Sequence, residues 1–164
     1  MPPQPQRGRP HPPLPDIAAA VAKLSARSLV LDGEVAVFDD QLRSRFDWLR
    51  DPDLDTVATP PVLIAFDLLY RDQRDLTARP LRDRRARLEG VVAGSDLIFP
   101  VRRLAANGLQ AWAQVIERGY EGLVAKDEKS VYEGGPTRRW LKVKQKGWTD
   151  GENRWRRMLF NMGS

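Results

Sequence analysis

The run VLIAFDLLY, from Val62 to Tyr70, decides the fold class of this sequence. It is almost continuously apolar and has the length of one β-strand, as expected for a strand that is buried on both faces. Helical patterns separate it from further strands, several of which could pair antiparallel. These observations predict an α+β fold with mixed, largely antiparallel sheets and flanking helices. The further strands are predicted at residues 29–39, 97–101, 122–126 and 140–144.

Apolar spacing predicts three helices. Asp16 is expected to cap a short first helix over residues 17–24. The second is predicted over residues 80–93 and the third over residues 108–118, where Gly119 ends it. A short helix or turn is predicted at residues 46–49, before an Asp/Pro-rich connection at 51–61. The apolar stripe of the second helix is Leu81, Leu88 and Val92, and that of the third is Leu109, Trp112, Val115 and Ile116.

Length and composition narrow the class of protein. The 164 residues suffice for one domain, and the absence of cysteine excludes disulfides and thiolate metal sites. No apolar run approaches the roughly 18 residues of a membrane span, and the proline-rich first 15 residues have no apolar core of a secretory signal. We therefore expect a cytoplasmic protein without a membrane partner.

The net charge of +5 is unevenly distributed, since eight basic residues lie between positions 138 and 157. Positive charge concentrated in this way suits a phosphate-bearing partner, because binding a polyanion releases counterions. The alternative interpretation is a solvated surface strand followed by a basic tail.

Two of the predicted strands each carry a pair of side chains of like charge. Asp32 and Glu34 share one face of the first strand, and Lys142 and Lys144 share one face of the last, about 7 Å apart. Glu121 precedes the strand at 122–126. Carboxylates on an apolar strand are costly unless they meet a cation, and paired lysines favour an anion such as a polyphosphate. A solvated strand face and a lysine-protected edge strand are the competing interpretations.

Other side chains have simpler default interpretations. Phe66 would ordinarily be a core residue, and Lys126, Arg138 and Arg139 would be surface charges. His11, in the proline-rich segment, is expected to be inert.

The segments LDGEV, FDLLY, EGLVAK and WLKVK, in this order, resemble the later nucleotidyltransferase motifs of ATP-dependent DNA ligases. The resemblance covers residues 28–148 and is nearest to the bacterial repair and end-joining ligases. It implies a nucleotidyltransferase (ATP-grasp-like adenylation) fold, ATP and Mg2+ or Mn2+ as cofactors, and nicked or broken DNA as substrate in repair and recombination. By this family, the protein would be an enzyme, an ATP-dependent DNA ligase.

The resemblance also implies roles for single residues. Glu34 would act at the ribose and the metal, and Glu121 would help to hold the metal. Phe66 would stack on adenine. Lys142 and Lys144 would contact the ATP phosphates, chiefly the α-phosphate under attack. Aromatic, acidic and basic groups would then meet the base, the metal and the phosphates respectively.

The sequence departs from the family in two respects. No lysine begins the K-x-D-G motif whose lysine becomes adenylated, and the residues after WLKVK are too few for the OB-fold domain that follows in these ligases. We therefore expect a fragment that is inactive alone. Its predicted parts are a disordered proline-rich arm (1–15), a partial nucleotidyltransferase domain (16–148) and a basic tail in place of a full OB-fold domain (149–164).

Three alternatives remain at this point. An RNA ligase or mRNA capping enzyme has the same architecture, and the chain could instead be a non-catalytic remnant that binds nucleotides or nucleic acid. It could also be a poorly folding product, because an incomplete sheet exposes its edge.

Overall fold

The computed structural model describes residues 14–40, 44–49 and 59–147. Most of the predicted proline-rich arm, the predicted basic tail and most of the connection at 51–61 lie outside these ranges. In the described part, the helices are α1 (Pro15–Ala22), α2 (Leu81–Val92) and α3 (Gly108–Glu117), with a 3-10 turn at Phe46–Leu49. The strands are β1 (Leu29–Ala36), β2 (Val62–Arg71), β3 (Arg74–Asp75), β4 (Ile98–Pro100), β5 (Gly122–Lys126) and β6 (Trp140–Lys144).

The strands form two sheets. In the first, β2 pairs with β1 and β3 antiparallel and with β4 parallel. In the second, β5 and β6 form an antiparallel pair. This arrangement confirms the α+β prediction of largely antiparallel sheets with flanking helices. The hairpin that joins β2 to β3 was not predicted, and Asp72 and Gln73 adopt positive φ angles of 49° and 65° at its turn.

The pairing of β1 with β2 contains two register shifts. Asp32 pairs with Asp67, but the next residue, Gly33, pairs with Ala65, so Phe66 has no partner on β1. A β-bulge of this kind adds one residue to a strand and redirects its side chain. Phe66, which the sequence singles out, is therefore the extra residue at a bulge.

The hydrophobic core lies between β2, β4 and α2. It contains Ala65, Leu68, Leu76, Leu88, Val91, Val92 and Ile98. All three residues of the predicted α2 stripe are buried, which confirms that prediction. On β2, by contrast, Val62, Ala65, Asp67 and Leu68 are buried and the remaining residues are only partly so.

Several sequence predictions need correction. Helix α1 begins at Pro15, so Asp16 lies in its first turn and makes no side-chain cap; proline suits the first helical position because its φ angle is already helical. Strand β1 ends at Ala36, three residues before the predicted end.

The predicted stripe of α3 is correct only in part. Val115 is buried, but Leu109 and Ile116 are 84% and 51% exposed, and Ala111 is the second buried residue of this helix. The helix is capped by Asn107, whose side chain accepts hydrogen bonds from the first-turn backbone. Gly119, with a φ angle of 64°, follows its end as predicted. None of the described helices has the length and apolarity that crossing a membrane requires.

Candidate functional site

The two carboxylates predicted on β1 lie on the face of the strand that points away from the core. Leu29 and Leu31 pack against the core, and Asp32 and Glu34 alternate with Leu31 to the opposite face. Glycine at position 33 permits this arrangement, because a Cβ atom there would lie 2.5 Å from the carbonyl oxygen of Ile64 on β2. Close pairing of β1 with β2 therefore requires the glycine between the two acidic residues.

Glu34 lies within electrostatic reach of the second sheet. Its pKa is raised above the ordinary value, chiefly because neighbouring groups remove water from the carboxylate. The charge of Lys142 on β6 opposes this rise in pKa, and repulsion by Glu121, just before β5, adds to it. Glu34 on β1 is therefore close enough to Lys142 and Glu121 of the β5–β6 sheet to interact with their charges.

The lysines of β6 meet the same acidic groups. In the register of the second sheet, Lys144 pairs with Gly122, and Lys142 pairs with Val124. The ammonium group of Lys144 forms an ion pair with Glu121. Lys142 thus interacts with the charge of Glu34, and Lys144 with that of Glu121.

Gly122 has the same role in the second sheet that Gly33 has in the first. A Cβ atom at position 122 would collide with the backbone carbonyl of Val143 on β6. Each acidic motif residue, Glu34 and Glu121, is therefore adjacent to a glycine that lets its strand approach its partner closely.

Phe66 faces a lysine and a tryptophan of the second sheet. The ammonium nitrogen of Lys126, at the end of β5, lies 5.6 Å from the centroid of the Phe66 ring and 3.8 Å from that of Trp140. The expectation that Lys126 is a surface charge is wrong, because the side chain is partly buried between these rings. Burial lowers the pKa of Lys126, while Asp67 and Asp32 favour its charged form.

The five predicted site residues therefore lie in one neighbourhood between the two sheets, here called the intersheet site (Glu34, Phe66, Glu121, Lys142 and Lys144). Interactions described above connect Glu34, Phe66, Glu121 and Lys142 to the facing sheet. Lys144 joins this group through its ion pair with Glu121. Arg138 and Arg139 are exposed, as expected, and Arg139 forms ion pairs with Asp127 and Glu133. A separate depression, lined by residues 25–28, 72 and 73, contains none of the five.

Sequence reasoning missed the groups behind the site. Asp67, next to Phe66, is completely buried and paired with Arg84 of α2 at 2.7 Å. Arg85 donates hydrogen bonds to the carbonyl oxygens of Phe66 and Val101, at 3.3 and 2.8 Å. The sequence contained a signal for this ion pair: one acidic residue lies inside the apolar run of β2, and an arginine-rich helix follows. Because a buried charge needs a partner, an arginine of that helix could have been predicted to pair with Asp67.

Comparison with known protein families identifies relatives of this chain. The family model described as "ATP dependent DNA ligase domain" matches residues 10–144. A probable DNA ligase of Streptomyces griseus is 38% identical over 153 residues, which cover 80% of this chain and 29% of the relative. The multifunctional non-homologous end joining DNA repair protein LigD of Mycobacterium tuberculosis is 35% identical over 139 residues, covering 84% of this chain and 18% of the relative.

Solved structures show the same relationship. The ligase domain of M. tuberculosis LigD matches with a TM-score of 0.65 and 34% identity, over 79% of this chain and 42% of that chain. A mycobacterial DNA ligase D complexed with ATP and MES also matches with a TM-score of 0.65 and 34% identity, over 80% of this chain and 41% of that chain. This chain thus spans less than a third of the length of these two curated relatives.

Proposed function

Because this chain belongs to the family of ATP-dependent DNA ligase domains, we propose that it binds ATP at the intersheet site and contributes this site to the sealing of nicks or breaks in DNA. The observation that carries the proposal is the convergence of unlike charges from two sheets. Glu34 on the first sheet interacts with Lys142 and Glu121 on the second, and Glu121 pairs with Lys144. Metal-bound polyphosphate needs such a mixture of acidic and basic groups.

Phe66 would stack on the adenine ring. Its position at a β-bulge turns the ring out of the regular pairing with β1. Arg85 holds the backbone of Phe66 through its carbonyl oxygen. Stacking on a held aromatic ring retains most of its interaction energy, because little side-chain freedom is lost on binding.

Lys142 and Lys144 would contact the phosphates, chiefly the α-phosphate. Their ammonium groups lie beside carboxylates that hold them near the site. Positive groups placed before the reaction stabilise charge that develops on the phosphoryl oxygens, at no cost of reorganisation. When a nucleophile supplied from outside these 164 residues attacks the α-phosphate and pyrophosphate leaves, the two lysines would contact the reacting phosphate.

Glu34 and Glu121 would hold the divalent metal, Mg2+ or Mn2+. Within the described ranges, no group of three or more acidic or histidine side chains could hold a metal by itself. The two carboxylates nevertheless fit such an ion, because they are close enough for Glu121 to raise the pKa of Glu34. Mg2+ is usually bound by one or two carboxylates together with substrate phosphates and water. The metal would supply Lewis-acid polarisation of the phosphate.

ATP binding is expected to stop short of a covalent adduct in this polypeptide. None of its six lysines begins K-x-D-G, so the family's adenylated nucleophile does not occur in the 164 residues. Incubation with ATP labelled at the α-phosphate should leave the protein unlabelled. A stable, acid-labile protein–AMP adduct would overturn this part of the proposal.

The experiment that tests the nucleotide site is calorimetric titration of the chain with ATP and Mg2+. Lys142→Met should weaken binding, because it removes a phosphate contact and keeps an apolar chain of similar length. Lys23→Met is the matched control, since Lys23 is an exposed residue at the end of α1. Equal affinity of the Lys142→Met variant and the unmodified chain would contradict the proposal.

DNA, rather than RNA, is the proposed nucleic-acid substrate. The relatives named above are DNA ligases or a DNA repair protein, which supports this choice. Retention on nicked duplex DNA should exceed retention on nicked duplex RNA at the same salt concentration. The reverse preference would favour the RNA ligase or capping interpretation.

A further inference from the structure

The loop between β5 and β6 provides the N-terminal cap of α2. Pro80, the N-cap residue, makes no side-chain hydrogen bond. The backbone N–H of Leu81 instead donates to the carbonyl oxygen of Ser130 at 2.8 Å, and that of Arg82 to the carbonyl oxygen of Glu128 at 3.0 Å. The first-turn amides of a helix need acceptors from outside the helix. Here, the β5–β6 loop supplies these acceptors. Helix α2, which packs against the first sheet, is thereby joined to a loop of the second sheet.

The buried side chain of Arg84 adds to the bonds between α2 and the β5–β6 loop. Arg84 is bonded to Asp67 on β2 and also donates to the carbonyl oxygen of Ser130, at 3.3 Å. Nearby, the N–H of Tyr132 donates to the carbonyl oxygen of Thr77 at 2.8 Å. Several independent bonds therefore fix the backbone around Ser130 relative to β2 and α2.

The side chain of Ser130 connects this fixed backbone to Trp140, the first residue of β6. Ser130 is completely buried. Its hydroxyl donates to the carbonyl oxygen of Asp127 at 2.6 Å and accepts a hydrogen bond from the indole N–H of Trp140 at 3.2 Å. Tyr132 packs edge-on against the same indole, with ring centroids 6.1 Å apart.

Trp140 is the first residue of β6, two positions before Lys142, and its ring contacts Lys126, which faces Phe66. We propose that Ser130 is a positioning residue of the intersheet site: its hydroxyl fixes Trp140, and thereby the start of β6, so that Lys142 lies near Glu34 and Lys144 lies against Glu121. This inference rests on the proposed function, because it assigns a role toward the nucleotide that the site binds.

The test is a double-mutant cycle on ATP affinity, measured by calorimetry in the presence of Mg2+. Ser130→Ala and Trp140→Phe each remove one side of the same hydrogen bond. Each variant should raise the Kd for ATP about three- to tenfold, the range expected for one hydrogen bond. The double variant should bind ATP no more weakly than the weaker single variant, because the two residues act through one bond.

Ser95→Ala is the matched control. The hydroxyl of Ser95 accepts hydrogen bonds from the N–H groups of Leu97 and Ile98, between α2 and β4 and away from the intersheet site. It should lower the melting temperature about as much as Ser130→Ala and leave the ATP affinity unchanged. An equal loss of ATP affinity in both serine variants would show a merely structural role and overturn the inference.

Two other results would also overturn it. Additive effects in the cycle, or unchanged affinity in Trp140→Phe, would exclude action through the Ser130–Trp140 bond. If Ser130→Ala does not fold, the ATP affinity of the Trp140→Phe variant still tests the inference. Absence of ATP binding by the unmodified chain would instead overturn the proposed function, and this inference with it.

Discussion

Arg84 of α2 and Asp67 of β2 form a fully buried, bidentate ion pair. The Nε atom of Arg84 lies 2.9 and 3.1 Å from the two carboxylate oxygens, and Nη2 lies 2.7 Å from Oδ2. Neither side chain is exposed. Because Asp67 follows Phe66 directly, this pair anchors the strand that carries the proposed adenine contact to the helix behind it.

We predict that Arg84→Met lowers the free energy of unfolding by about 3–5 kcal/mol, because it leaves the Asp67 carboxylate buried without its partner. Urea unfolding would measure the loss. Arg82→Met is the control, since Arg82 is exposed on the same helix and should change stability by less than about 0.5 kcal/mol. A similar loss in both variants would mean that the buried pair is not the cause.

The glycine of the LDGEV motif should resist substitution. We predict that Gly33→Ala destabilises the chain by about 1–3 kcal/mol, because its Cβ would overlap the backbone of Ile64. Gly90→Ala in α2 should instead stabilise it by about 1 kcal/mol, because a Cβ at that helical position meets no atom within 4 Å. Thermal unfolding of the two variants would check the opposite signs. Equal shifts would contradict the close approach of β1 and β2.

Phe66→Leu should weaken ATP binding about 5- to 100-fold, the range that corresponds to loss of one base-stacking contact. Calorimetry with ATP and Mg2+ would measure this change. Phe99→Leu is the matched control, because Phe99 is a partly exposed phenylalanine on β4 of the same sheet. Its ATP affinity should equal that of the unmodified chain. If both variants bind ATP as the unmodified chain does, Phe66 does not stack on the base.

The β2–β3 hairpin should make stability depend on pH. The side-chain hydroxyl and the backbone N–H of Thr77 both donate to one carboxylate oxygen of Asp75, at 2.6 and 2.8 Å, and lower its pKa. The carboxylate therefore stabilises the folded state above the pKa of unfolded aspartate, about 3.9. This contribution is lost as the pH falls through the lower, folded-state pKa.

Urea unfolding at pH 7 and pH 3 would reveal this contribution. The difference in unfolding free energy between the two pH values should be smaller in Asp75→Asn than in the unmodified chain. Thr77→Val should have the same effect, because it removes the hydroxyl donor. If both variants retain the full pH dependence, the hydrogen bonds of Asp75 do not contribute to it.

Local periodicity carried the prediction of several elements. The bounds of β5 and β6 and the buried stripe of α2 agree with the sequence-based expectations. Each of these predictions depends on residues fewer than about a dozen positions apart. The side-chain repeat of a helix or a strand is recognisable over that distance. The order of the four motifs was likewise sufficient to indicate the ligase family.

The sequence alone determined which side chains share a strand face or a helix stripe, because the backbone geometry of each element imposes that pattern on nearby residues. Only the tertiary structure decided that Phe66 occupies a bulge, that Asp67 is paired with Arg84, and that Lys126 lies between two aromatic rings. These relationships join residues far apart in the chain, and they depend on packing and register that no local repeat specifies.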